Sequence, residues 1–154
     1  MALFNVRVYG ILIDSQNRLL VSDEFIRGNY ITKLSGGGLE IGEGTRDGLA
    51  REFMEEANLE VIVGEHFYTT DFFQISAFNN KDQIISIYYL VHSDKTDTIK
   101  VKTKAFDFLP EQVADITGTA EHLRWIPLSA LSEESMTLPI DKVAIKMLLD
   151  KQRF

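Results

Sequence analysis

The sequence predicts an α/β fold, a sandwich in which a mixed β-sheet lies between helices. Seven segments have the alternating or continuous apolar pattern of β-strands, and three segments favour helices. One helix falls in the middle of the chain and one near its end, so that strands and helices are interleaved. A chain of 154 residues, with 45% hydrophobic and 25% charged residues, has the composition of one globular domain.

Three strands are predicted before the first long helix. Residues 3–13 alternate between apolar and polar side chains and then become apolar on both faces. Residues 14–17 (Asp-Ser-Gln-Asn) have the composition of a turn, and residues 18–22 form a second strand. Residues 30–34 form a short third strand, which delivers the chain to a glycine-rich segment at residues 35–38.

The first helix is predicted over residues 45–57. Thr45 suits the N-cap position, where its hydroxyl could accept a backbone hydrogen bond. Asn58 suits a left-handed stop at the carboxyl end. At helical spacing, the buried face is expected to consist of Leu49, Ala50, Phe53, Met54 and Ala57.

Four further strands and two helices are predicted after the first helix. Residues 83–92 are apolar on both faces, which is typical of a central strand. Residues 96–103 form a weaker strand at an edge, because lysines there discourage further pairing. The remaining predicted elements are strands at 60–74 and 121–126, a short helix at 128–132 and a closing amphipathic helix at 141–151.

Three glutamates near the end of the first helix form an unusual charge cluster. Glu52, Glu55 and Glu56 are three and four residues apart, so they share one helix face. Like charges at these spacings, near the negative end of the helix dipole, are unfavourable by about 1–2 kcal/mol unless a cation offsets them. A solvated acidic face is the ordinary interpretation of such a cluster, and a divalent metal site is the alternative.

The residues around the cluster favour the metal site. Gly37 is followed after five residues by Glu43, then after seven by Arg51-Glu52-Phe53, Glu55-Glu56 and Asn58-Leu59. This order resembles the Nudix box of the Nudix hydrolases. Asn58 replaces the last glycine of that pattern, and asparagine is the next-best residue for a left-handed cap. Residues 123–128, followed by a helix, resemble the segment that commonly closes the Nudix fold.

The resemblance implies a single Nudix domain over residues 1–154, with Mg²⁺ as the cofactor and Mn²⁺ as the alternative. In the family, the residues that match Glu55 and Glu56 are metal ligands. The residue that matches Glu52 either ligates metal or acts as a base, and the carbonyl of Gly37 or of a neighbouring glycine is often a further ligand. Glycine suits this role, because backbone without a Cβ can approach an ion closely.

The resemblance also implies a reaction, the hydrolysis of a nucleoside diphosphate linked to another group. In the family, Arg51 pairs with Glu43 and fastens the loop to the helix. A general base outside the box is expected, for which Glu121 is the first candidate and Glu111 the second, although each also fits an ordinary surface glutamate. An aromatic pair after the box, Phe72 and Phe73, could stack on a substrate base, although packing in the core is the favoured role.

The composition narrows the functional class. A net charge of −7 disfavours a broad nucleic-acid or acidic-membrane surface, and the absence of cysteine excludes thiolate catalysis. No apolar run reaches the length of a membrane span, and the first residues do not resemble a signal peptide, so the cytoplasm is the expected location. The resemblance is compatible with a homodimer but does not establish the oligomeric state. A Nudix-fold module that senses a nucleotide without hydrolysing it is the alternative function, and the retained carboxylates favour the enzyme.

Overall fold

Six β-strands and three α-helices are present in the computed structural model, which describes residues 1–152. The predicted α/β class with a mixed sheet is therefore confirmed. The strands are β1 (Phe4–Leu12), β2 (Arg18–Ile26), β3 (Asn29–Gly38), β4 (Ile62–Thr69), β5 (Gln83–His92) and β6 (Thr119–Pro127). The helices are α1 (Thr45–Ala57), α2 (Pro110–Val113) and α3 (Pro139–Gln152).

The chain divides into two compact units, of which the first contains Met1–Leu12 and Ser35–Asp97. Its strands pair in the order β4-β5-β1-β3, and β1 runs parallel to β5 while the other pairs are antiparallel. The strand β5 lies between two neighbours, as its two-sided apolar pattern predicts. Helix α1 packs closely on β1. The Phe53 ring of α1 lies so near Gly10 of β1 that a Cβ on Gly10 would be 2.5 Å from the ring.

The second unit contains Ile13–Leu34 and the chain from Thr98 onward, and its strands pair antiparallel in the order β3-β2-β6. Charged side chains lie inside this unit. Asp23 is fully buried and accepts hydrogen bonds at 2.7 Å from both Arg124 and Thr32. Glu24 is also buried and pairs with Lys33 at 3.1 Å. These partners allow β2 to continue to Ile26, beyond its predicted end at residue 22.

The glycine-rich segment continues a strand, contrary to the prediction of a short strand ending at residue 34. β3 extends to Gly38 and pairs with β1 from Gly10 opposite Ser35 to Arg7 opposite Gly38. Gly36 has φ +147°, and a Cβ there would collide with backbone atoms of β1. Glycine is therefore required for this strand to pass so close to its neighbour.

Two other predicted strands differ in the structure. Residues 96–103 contain a 3₁₀ turn at Thr96–Thr98 and a single β-bridge from Val101 to Leu123, so the predicted edge strand is wrong. The lysines that weaken this edge allow only that local pairing. The strand predicted at 60–74 is shorter in the structure. β4 runs from Ile62 to Thr69, and its pairing with β5 contains two irregularities in register.

The elements near the carboxyl end agree with the predictions in kind. The short helix predicted at 128–132 is a 3₁₀ turn at Leu128–Ala130, and α3 begins two residues before its predicted start at 141. α2 and a third 3₁₀ turn at Glu133–Ser135 have no counterpart among the predicted elements. Within residues 1–152, no helix combines the length and apolar character that crossing a membrane requires.

Candidate active site

Helix α1 carries Glu52, Glu55 and Glu56 of the box, and its two ends are capped differently. At its start the N-cap is Gly44, not Thr45 as predicted, and the Thr45 hydroxyl instead lies 2.7 Å from the hydroxyl of Tyr89. At its end Asn58 is left-handed, with φ 49° and ψ 43°, as predicted. Its backbone N–H donates to the carbonyl of Met54. The helix therefore stops directly after the box glutamates.

The buried face of α1 is narrower than predicted. Leu49 and Phe53 are fully buried, whereas Met54 is 46% exposed. The assignment of Met54 to the core is wrong, because the first unit encloses only the stripe that faces the sheet. The acidic residues lie beside this stripe, with the side chain of Glu52 only 12% exposed and that of Glu55 58% exposed.

Gly37 on β3 lies directly against the carboxylate of Glu52. A Cβ at Gly37 would be 2.7 Å from Glu52 Oε1 and 2.8 Å from Glu52 Oε2. The neighbouring Gly38 has room for a side chain, since the nearest atom to its Cβ position is an Arg7 nitrogen at 3.7 Å. The structure thus brings together two of the predicted metal-binding residues, and only the absence of a side chain at Gly37 permits this approach.

Arg51 connects the loop before α1 to the glutamates on the helix. Its Nε donates to Glu43 Oε2 at 2.9 Å, and its Nη2 donates to Glu43 Oε1 at 2.7 Å. Its Nη1 donates to Glu52 at 3.1 Å and lies 3.2 Å from Glu55. Nη2 also donates to the carbonyl of Gly38 at 3.2 Å, a contact that the sequence did not indicate.

The charge of Arg51 changes the electrostatics of the cluster. The pKa of Glu43 falls to about 2, first because Arg51 donates to it and next because the backbone N–H of Glu40 does. The same carboxylate raises the pKa of Arg51, so both partners stay charged. The repulsion predicted among the helix glutamates is therefore offset in part by a cation already present in the protein.

The sequence profile of the NUDIX domain matches residues 3–148 of the chain. The chain belongs to the Nudix family. Membership confirms the resemblance noted in the sequence and, with it, the predicted enzyme class of pyrophosphohydrolase. No curated protein matches the chain at a significant level of sequence similarity.

Solved structures share the Nudix fold with this chain at low sequence identity. The solution structure of the E. coli ORF135 protein is 16% identical, with a TM-score of 0.67 over 98% of this chain and 92% of that one. A MutT protein from Methanosarcina mazei Go1 is 16% identical, with a TM-score of 0.65 over 99% and 96%. An ADP-ribose pyrophosphatase from Streptococcus suis is 14% identical, with a TM-score of 0.56 over 97% and 92%.

The carboxylates of this Nudix box do not form a complete metal site as they stand. Among residues 1–152, no three acidic or histidine side chains are grouped closely enough to hold a metal ion. Arg51 draws Glu52 and Glu55 toward itself. Glu56, the third predicted ligand on the helix, is half-buried, and its Oε2 atom is buried.

The predicted residues outside the Nudix box occupy different parts of the fold. Glu121 is exposed on β6, opposite Glu24 of β2, and Glu111 is exposed in α2. Their roles as a base stay predictions. Phe72 and Phe73 lie between β4 and β5 and are 38% and 69% exposed, so the favoured prediction that they pack in the core is wrong.

Proposed function

We propose that the chain, acting as a single Nudix domain, hydrolyses the pyrophosphate bond of a nucleoside diphosphate linked to another group, with Mg²⁺ as cofactor. One observation carries the proposal beyond family membership. The carboxylate of Glu52 packs so closely on Gly37 that a Cβ there would lie 2.7 Å from its Oε1 atom, and both residues belong to the predicted ligand set. Glycine at this position allows the backbone to approach a cation that the carboxylate binds.

The residues of the box fit a hard divalent cation. Mg²⁺ takes oxygen ligands and is commonly held by one or two carboxylates together with substrate phosphates and water. Glu52, Glu55, Glu56 and the Gly37 carbonyl supply oxygens of this kind, and Mn²⁺ would accept the same donors. A chain with a net charge of −7 would repel a polyphosphate, so a bound cation also solves the problem of substrate approach.

The protein residues have separate tasks in this proposal. A bound divalent ion would lower the pKa of a water molecule and neutralise charge on the phosphates. The bidentate pair between Arg51 and Glu43 ties the loop that precedes α1 to the helix, and Arg51 also donates to the carbonyl of Gly38, next to Gly37. Glu121 is the proposed acceptor of the proton released by water, and Phe72 and Phe73 are the proposed stacking surface for a base.

The similarity to an ADP-ribose pyrophosphatase makes nucleoside diphosphate sugars the first substrates to test. The purified protein would be incubated with nucleoside triphosphates, nucleoside diphosphate sugars and dinucleotides, with Mg²⁺ or with a chelator, and the products separated by chromatography. We expect Mg²⁺-dependent cleavage of at least one diphosphate compound. Tight binding of a nucleotide without cleavage of any compound would instead support the sensing module.

A further inference from the structure

Arg51 presents two sides of one guanidinium group to two sets of carboxylates. Nε and Nη2 face Glu43, at 2.9 and 2.7 Å. Nη1 faces the helix, where it lies 3.1 Å from Glu52 Oε1 and 3.2 Å from Glu55 Oε2. The first side holds the loop, and the second side occupies carboxylate oxygens that a metal ion would need.

We propose that Arg51 is the resident counter-cation of the Nudix box and that a divalent metal must displace its Nη1 from Glu52 and Glu55. This inference rests on the proposed function, because it assumes that the box binds metal. It makes Arg51 a positioning residue with two roles, as a permanent anchor for Glu43 and as a temporary partner for the metal ligands. The affinity of the box for metal is then set partly by a competition inside the protein.

The contact distances and the exposure of the side chains indicate which contacts of the Arg51 guanidinium a metal ion would displace. The Glu43 pair is bidentate and is the shorter of the two, which is the stronger arrangement for arginine and carboxylate. Nη1 is shared among three carboxylates, since it also lies 3.7 Å from Glu40 Oε1, and the Glu40 and Glu55 side chains are 66% and 58% exposed. Exposed pairs of that kind contribute little. Metal entry should therefore release Nη1 and leave the Glu43 pair intact.

The first test is a calorimetric titration with Mn²⁺ at low ionic strength of the wild type, Arg51→Gln and Arg46→Gln. Arg46 is the matched control, since it lies on the same helix and its side chain donates to the carbonyls of Val63 and Gly64. We expect Arg51→Gln to bind Mn²⁺ about three- to fivefold more tightly than the wild type. Arg46→Gln should stay within about twofold, because the two variants lose the same charge but only one loses the competing contact.

The outcomes separate the inference from the proposed function. If the wild type binds no Mn²⁺, the proposed function fails and the inference fails with it. If the wild type binds Mn²⁺ but Arg51→Gln binds equally or more weakly, Arg51 is only an anchor and the inference alone is overturned. An equal gain in Mn²⁺ affinity in both variants would also overturn the inference, because the gain would then come from the loss of one positive charge.

A second measurement uses the wild type and so does not depend on the folding of a variant. The side-chain nitrogen signals of Arg51 would be followed by NMR as Mg²⁺ is added. We expect the Nη signals to shift as Nη1 leaves Glu52 and Glu55, while the Nε–H signal, bonded to Glu43, changes little. Unchanged Nη signals at saturating Mg²⁺ would contradict the displacement.

Discussion

Gly37 and Gly38 are neighbours on β3 that differ in the space available to a side chain. A Cβ at Gly37 would press on the Glu52 carboxylate, which is the flexible end of its side chain, so the fold can accommodate alanine by moving Glu52. We expect Gly37→Ala to keep the melting temperature within a few degrees and to lower turnover by at least about tenfold, because a misplaced ligand weakens catalysis. Steady-state kinetics and thermal unfolding measure the two effects.

Gly38→Ala is the control for that substitution. Its Cβ would have no atom closer than 3.7 Å, so both activity and stability should remain near those of the wild type. Equal activity in the two variants would show that the close approach of Gly37 to Glu52 has no functional role.

Glu43 makes stability depend on pH. Its pKa in the folded protein is about 2, against an ordinary value of 4.5, because Arg51 and the Glu40 backbone N–H donate to the charged form. A carboxylate whose pKa is lower in the folded than in the unfolded protein stabilises the fold. This contribution is complete at pH values above the unfolded pKa and is lost as the pH falls toward the folded pKa. We expect the wild type to exceed Glu43→Gln in stability at pH 7, and the difference to shrink between about pH 5 and pH 2.

Urea unfolding of both proteins at several pH values measures this difference. A gap between wild type and variant that stays constant from pH 7 to pH 2 would mean that the ionised pair with Arg51 does not stabilise the folded protein.

At the scale of a secondary structure element, the end of α1 is set by one residue. Asn58 holds φ 49°, a conformation that glycine adopts without strain and that asparagine tolerates. We expect Asn58→Gly to change the free energy of unfolding by no more than about 1 kcal/mol, in either direction. Asn5→Gly, in the strand β1, is the comparison and should destabilise by about 0.5–1 kcal/mol. A larger loss at Asn58 would mean that its side chain stabilises the helix end.

The elements also show which structural features the sequence can predict. α1 and β5 were predicted at their observed residues because each carries a long apolar pattern with clear ends. The extension of β2 was missed because Asp23 and Glu24 resemble a strand end, and only distant partners such as Arg124 and Lys33 make their burial tolerable. Pairings of that kind depend on tertiary contacts, which a single sequence does not display.

The candidate site was predictable for a different reason. The spacing of the box residues placed Glu52, Glu55 and Glu56 on one helix, and the family resemblance implied the pair of Arg51 with Glu43, which the structure shows. The spacing could not show that the same arginine also reaches Glu52 and Glu55, because this depends on the side-chain conformation of Arg51. At the scale of the whole molecule, the net charge of −7 indicated that a cation is needed for a phosphate substrate to approach. The fold places one cation inside the box, the guanidinium of Arg51.

The central claim is that the carboxylates of the box hold a divalent cation for catalysis, and turnover by Glu56→Gln tests it most directly. Glutamine keeps the shape of the side chain and removes its charge. With a substrate found in the panel and saturating Mg²⁺, we expect turnover to fall by orders of magnitude with the fold intact by circular dichroism. Glu60→Gln, an exposed residue beyond α1, should retain nearly full activity. Turnover by Glu56→Gln within a few-fold of the wild type would contradict the claim.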